Sequence, residues 1–168
     1  MVRRIDELGR IVIPKELRNS LKINSGDAME IELDSGKQLV IKKLSSLQGM
    51  EEELFNIAKV INELTNATII FANEEKVIIS YGKRSELYLD KYINQSIYNK
   101  INNNLELYRN IHIINNFLEQ QPTYICTIGN NNFSKGIMII IENEKIITSN
   151  QQEIIINFKK FINKSLIN

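Results

Sequence analysis

RIDELGRIVIPKELRNSLKI, residues 4–23, sets a Gly-Arg step, an Ile-Val-Ile-Pro run and a short basic segment side by side. Gly9 interrupts two apolar stretches, so residues 2–8 and 10–13 read as short strands on either side of it. Pro14 ends the second strand and suits the first position of a helix, where its missing N–H costs nothing. Residues 15–21 form that helix. At about 100° per residue, Arg18 and Lys22 fall within about 60° of Lys15, while Leu17 and Leu21 fall on the opposite side. Any surface helix turns its charge outward, and that reading alone would account for the stripe. Arg3, Arg4 and Arg10, a few residues away, add to it, and in a two-fold dimer the basic surplus doubles. That is the footprint of a phosphate-binding surface.

Beyond the helix, Asn24-Ser25-Gly26-Asp27 is a turn signal, and Met29-Glu30-Ile31-Glu32-Leu33 alternates apolar and polar as a half-buried strand does. Asp34-Ser35-Gly36-Lys37 reads as a hairpin turn, and Leu39-Val40-Ile41 as the returning strand. A unit of about fifty residues built mostly of short strands buries little apolar surface by itself. It calls for a partner chain.

The chain has 168 residues, 43% hydrophobic and 24% charged, the balance of a globular protein with one ordinary domain or two small ones. Its formal net charge of +1 conceals an asymmetry. Residues 1–23 carry six basic side chains against three acidic ones, whereas residues 51–168 carry twelve against thirteen. The positive charge is therefore local. The Ile137–Ile141 run is too short to span a bilayer, and Arg3, Arg4 and Asp6 stand where a signal peptide would need apolar residues. Cys126 is the single cysteine, so no internal disulfide forms. Together these features lead to the expectation of a cytoplasmic protein without a membrane partner.

Val2-Arg3-Arg4-Ile5-Asp6-Glu7-Leu8-Gly9-Arg10-Ile11-Val12-Ile13-Pro14-Lys15-Glu16-Leu17-Arg18, with Leu21 and the Gly26-Asp27 turn, closely resembles the AbrB-type DNA-binding domain. The resemblance is nearly continuous over residues 2–43. It implies an interlocked dimer of swapped β-hairpins that binds double-stranded DNA. The family's DNA-contacting arginines correspond to Arg3, Arg10 and Arg18, with Arg4 as a helper and Lys15 and Lys22 completing the basic set. Relatives often carry a second basic residue where this chain has Asn19, a charge that Lys22 is placed to supply. Relatives also have several further residues leading into the first strand, which the resemblance implies is shortened here. No long recognition helix is available for a major groove, so modest base reading and a large contribution from DNA shape are expected, favouring AT-rich promoters.

After Lys43 the resemblance weakens and pattern takes over. The division expected is 1–46 for the AbrB-like domain and 47–168 for a second, α+β domain of the GAF-like type, serving oligomerisation and open to an unidentified small-molecule effector. Leu47, Met50, Leu54, Ile57, Ile61 and Leu64 make a heptad stripe on a helix beginning near residue 48. That stripe serves either the domain's own sheet or a seam to a second chain. Residues 67–72 and 76–81 read as a hairpin, residues 84–103 as helical with Leu89, Ile93, Ile97 and Ile101 at four-residue steps, and residues 107–114, 123–128 and 135–142 as strands. Gly129 to Asn132 should turn the last pair, and residues 150–166 form a final amphipathic helix. An obligate homodimer through the first domain, closed into a homotetramer through the second, is the expected assembly.

Enzymatic chemistry finds no support in the sequence. His112 lies in an apolar strand-like run and Cys126 alternates as a core residue. One His and one Cys cannot supply a metal cage of the usual kind, and nothing calls for a cofactor. No Gly-rich phosphate loop or nucleophile elbow occurs. The Asn-Lys-Phe-Asp-Glu signature of cyclic-nucleotide-binding GAF domains is absent too. Two functions remain: a DNA-binding transcriptional regulator, of sporulation genes as the two-domain resemblance implies, and an antitoxin-like protein of a toxin–antitoxin pair. A flexible acidic tail would mark an antitoxin, whereas this chain continues as a periodic, near-neutral segment.

Overall fold

The structure, a computed structural model, describes residues 2–21, 23, 25, 27, 29–43, 47, 49–129 and 136–166. The chain divides into two units, Met1–Leu44 and Ser45–Asn168. It has the α+β character read from the sequence, with a strand hairpin in the first unit and a larger sheet-and-helix body in the second.

In the first unit the helix α1 runs over Lys15–Ser20, with Pro14 one position before its first residue as the N-cap. Arg18 N–H donates to the Pro14 carbonyl at 3.0 Å and closes the first turn. The strands β1 (Met29–Leu33) and β2 (Leu39–Lys43) pair antiparallel, with Ile31 opposite Ile41 and Leu33 opposite Leu39. Residues 34–37 make the tight connection as expected: Asp34 N–H donates to the Gln38 carbonyl at 3.0 Å, and Lys37 takes a left-handed φ of 58°. The period of two places Met29, Ile31, Leu33, Leu39 and Ile41 on one face and Glu30, Glu32 and Lys42 on the other. Lys42 Nζ donates to Glu32 Oε2 at 2.6 Å on the charged face.

The strands expected over 2–8 and 10–13 do not form. A single backbone pair, Asp6 N–H to the Arg10 carbonyl at 3.0 Å, joins the two arms beside the turn, and no ladder continues from it. A strand needs a neighbour to exchange hydrogen bonds with, and the arms do not supply one to each other. The turn expected over 24–27 and the one over 129–132 fall partly outside the described residues, as does Lys22.

The second unit is a five-stranded antiparallel sheet of order β4-β3-β7-β6-β5, built from β3 (Thr68–Ala72), β4 (Val77–Tyr81), β5 (Glu106–Tyr108), β6 (Thr123–Ile128) and β7 (Gly136–Ile141). The three central strands are buried on both faces, and β7 accordingly reads as a continuous apolar run. One face packs against α2 (Glu51–Thr65) and α3 (Ser149–Ser165). Glu51, Glu52 and Glu53 complement the α2 dipole, and Asn66 in the left-handed region ends that helix. A Thr148–Gln151 capping box starts α3.

The heptad stripe of α2 serves this sheet. Leu54 and Ile61 are wholly buried and Ile57 nearly so, each fully buried side chain contributing about 1.5–3 kcal/mol. Leu47, Leu54, Ile57 and Ile61 of the stripe are therefore the domain's own core, whereas Leu64 at its end is 47% exposed. Apolar surface is also open in a groove of about 490 Å³ between α2 and α3, lined by Ile57, Val60, Phe158 and Phe161.

The opposite sheet face is covered by the crossover from Gly82 to Gln121, and here the expected helix over 84–103 is replaced. Two short 3₁₀ segments, Ser85–Leu87 and Gln95–Asn99, flank irregular backbone. Arg84 and Asp90 have φ of 62° and 60°, values no α-helix accommodates. The amides that a helix would need bond across the fold instead: Ile93 N–H to the Glu75 carbonyl at 2.8 Å, Asn94 N–H to the Ile113 carbonyl at 2.9 Å. Ile93 and Ile97, from the four-residue steps, are buried in this second core all the same. The strand expected over 107–114 stops at Tyr108, because Asn110 turns left-handed and Ile111 bridges Glu119.

Candidate nucleic-acid interface

The basic side chains of the first unit are carried by three local structures. Arg3 and Arg4 lie on the arm before the turn, Arg10 closes the turn, and Lys15 and Arg18 sit on α1. All five are exposed. Lys15 and Arg18, three residues apart, share one side of the helix. Lys22 lies outside the described residues.

The turn is the most highly organised part of this surface. Gly9 takes φ of +75°, a conformation that a side chain at this position would resist, and its N–H donates to the Asp6 carbonyl at 3.0 Å. Asp6 Oδ1 accepts from the Leu8 and Arg10 N–H groups at 3.0 and 2.8 Å. Asp6 Oδ2 accepts from Arg10 Nε at 2.8 Å. The Arg10 backbone N–H, then the Arg10 side chain, hold the Asp6 carboxyl below the usual carboxylate range. Sequence reasoning selected Arg10 and passed over Asp6. The signal was available: an Asp at the head of a Gly-containing turn bonds the backbone that follows it.

Behind these charges the unit has no buried residue among those described. Leu33, Leu39 and Ile31 are 70%, 63% and 62% exposed. An apolar groove of about 600 Å³ is lined by Val2, Arg3, Ile11, Ile13, Leu17, Met29 and Ile41.

The second unit holds the remaining titratable candidates. Cys126 is fully buried, as its alternation indicated, and burial pushes its thiol up to about 11. His112 is exposed, with Nδ1 3.1 Å from the Phe117 carbonyl, a contact made by the tautomer protonated at Nδ1. Glu119, not singled out from the sequence, is buried with its partners around it. Tyr88 Oη donates to Glu119 Oε2, Arg84 Nη2 donates to the same oxygen at 3.3 Å, and Gln121 N–H donates to Oε1 at 2.9 Å. Burial first, and then Glu119, raise the Tyr88 phenol well above its ordinary value. Phe117 packs edge-on to Tyr88, and the Arg84 guanidinium lies 5.9 Å from its ring centroid. This cluster ties the two ends of the crossover together. Among the described residues no group of three or more His, Cys, Asp or Glu is placed to hold a metal ion, and no helix is long and apolar enough to cross a membrane.

Comparison with known proteins bears on the first unit above all. Residues 2–48 match the family model described as antidote-toxin recognition MazE, bacterial antitoxin. The chain is 32% identical over 97 residues to stage V sporulation protein T of Bacillus subtilis (strain 168), covering 58% of this chain and 54% of that protein. It is 54% identical over 43 residues to the transition state regulatory protein AbrB of the same strain, covering 26% of this chain and 44% of AbrB. The chain thus spans about half the length of the curated relatives it matches. The N-terminal region is a domain of the MazE/AbrB type. The stretch shared with the sporulation protein is longer than this domain, so the likeness continues into the second unit.

Proposed function

We propose that the chain is a DNA-binding transcriptional regulator of sporulation genes, gripping double-stranded DNA through Arg3, Arg4, Arg10, Lys15, Arg18 and Lys22. The observation that carries this reading is the organised, exposed arginine turn on a small domain whose relatives are a transition state regulator and a sporulation protein. Guanidinium groups fork onto phosphates and guanine edges, and among its described residues the first unit has no long helix to compete for the groove. Shape and deformability of AT-rich promoters then supply much of the selectivity.

The domain, taken as residues 1–46, acts as an obligate homodimer of swapped hairpins. Support comes from the apolar face of β1 and β2 and the groove beside it, which a second copy would cover. Residues 47–168 act as a GAF-like oligomerisation domain and leave open an unidentified small-molecule effector. The groove between α2 and α3 supports pairing of two dimers into a tetramer. Changing Val60 and Phe161 together to Asp should convert tetramer to dimer in light scattering without lowering the melting temperature of the second unit. An unchanged tetramer would remove that interface from the scheme.

The test of DNA binding is a salt titration with promoter fragments. Arg3→Ala, Arg10→Ala and Arg18→Ala should each weaken binding several-fold with the fold intact. If a dimer neutralises about six phosphates, log affinity falls with log salt at a slope near −5. Unaltered affinity in Arg10→Ala would overturn the assignment. An antitoxin role is the second reading, favoured by the description of the matching family. The folded second unit, where an antitoxin would have a wrapping tail, weighs against it. Recovery of a small co-encoded toxin in a pull-down would reverse the order.

A further inference from the structure

The Arg10 turn contains a carboxylate that a phosphate-binding surface should avoid. Asp6 sits four residues before Arg10, on the same turn, where its charge repels DNA. Its ion pair with Arg10 adds little stability, because the two side chains are 72% and 42% exposed and water screens them. Geometry gives Asp6 another use. One oxygen accepts two backbone N–H groups, at 3.0 and 2.8 Å, and so fixes the turn. The other accepts from Arg10 Nε at 2.8 Å and so fixes the side chain on that turn. The bond is made to the flank of the guanidinium, through Nε, and does not use the two Nη groups that form its outer fork.

We propose that Asp6 is a positioning residue for Arg10, holding the guanidinium fork in its DNA-reading orientation before DNA arrives. The inference rests on the DNA-binding reading above. Free arginine side chains have many rotamers, and binding must remove that freedom; a side chain already held has less to lose. A fixed fork also discriminates: it fits a base edge or phosphate in one orientation and not in its neighbours. The carboxylate therefore trades general attraction to DNA for selective binding. This gives opposite signs for two kinds of DNA, which a purely electrostatic or purely structural role does not.

The experiment uses the full chain and two probes, a duplex that the wild-type chain selects from a random-sequence pool and a mixed-sequence duplex. Asp6→Asn keeps an oxygen for the Leu8 and Arg10 N–H groups and replaces the acceptor of Arg10 Nε with an amide. Affinity for the selected duplex should fall about five-fold or more, while affinity for the mixed duplex holds or rises because a repelling charge is gone. In an Arg10→Ala background the same change should no longer weaken selected binding. Light scattering and circular dichroism check that assembly and fold are unaltered. If Asp6→Asn disturbs them, Arg10→Lys carries the test, since it keeps the charge without the fork. It should then weaken selected binding more than mixed binding, and full selected affinity in Arg10→Lys would overturn the proposal. Selected binding that is unchanged or tighter in Asp6→Asn overturns the positioning role while leaving the DNA-binding reading intact. So does equal weakening with and without Arg10. A wild-type chain that selects no duplex overturns both.

Discussion

The two units of this chain solve the burial problem in opposite ways. In the second, Ile61 and Ile139 are wholly hidden and both sheet faces are covered by the unit's own helices and crossover. In the first, side chains of the same kind stand open: Ile31, Leu33 and Leu39 share one strand face and all are more than half exposed. Chain length explains the difference. A sheet of five strands with two long helices closes a core, whereas two short strands, a turn and a single short helix do not enclose one. The open face is best understood as half of an interface, on the proposal that a second copy completes it.

Leu54→Asp should break the contrast most severely. It places a charge at a fully buried site on α2 and should cost more than about 4 kcal/mol, removing the cooperative melting of the second unit in calorimetry. Survival of that transition would mean that the α2 stripe faces another chain after all. Leu39→Asp tests the other side. At a self-sufficient surface such a change costs within about 0.5 kcal/mol. Here it should abolish dimers of the first unit and DNA binding with them, while the second unit melts as before. Light scattering of the full chain reads the outcome.

Smaller changes sharpen the picture within each unit. Tyr88→Phe removes a buried donor to Glu119 and should destabilise the second unit by about 1–3 kcal/mol in denaturant titrations. Gly9→Ala meets no atom within 4 Å, so its cost is backbone strain alone, about 1 kcal/mol. The loss should show more in DNA affinity than in melting. The smallest effect is the acid response of the turn. Because the folded Asp6 carboxyl lies below its ordinary value of 3.8, its contribution is fully present above that value and is lost as pH falls through the lowered one. The Leu8 and Arg10 amides should lose protection from hydrogen exchange only in that acid range. Loss near neutral pH would detach the turn from Asp6.

For several elements the local pattern was a sufficient guide, though not for the arms over 2–8 and 10–13, which give each other no strand to pair with. The alternation of residues 29–33 gave β1 to the residue, the β-branched and aromatic stretch 123–128 gave β6, and the periodicity of residues 150–166 gave α3 within a residue of its ends. The basic side chains from Arg3 to Arg18 follow one another along one arm, one turn and one helix, so their succession could be read from the sequence, while their role in binding DNA is a proposal. The tertiary structure alone decided the crossover. Four-residue steps of Leu89, Ile93, Ile97 and Ile101 mimic a helix, but the backbone there bonds to Glu75 and Ile113, and Arg84 and Asp90 take left-handed angles. It also decided which part of the α2 stripe is core, and it joined Glu119 to Tyr88 from the far end of the same crossover. Periodicity records contacts three or four residues apart. Which distant group answers a buried carboxylate or an unpaired amide is fixed only when the sheet brings them together.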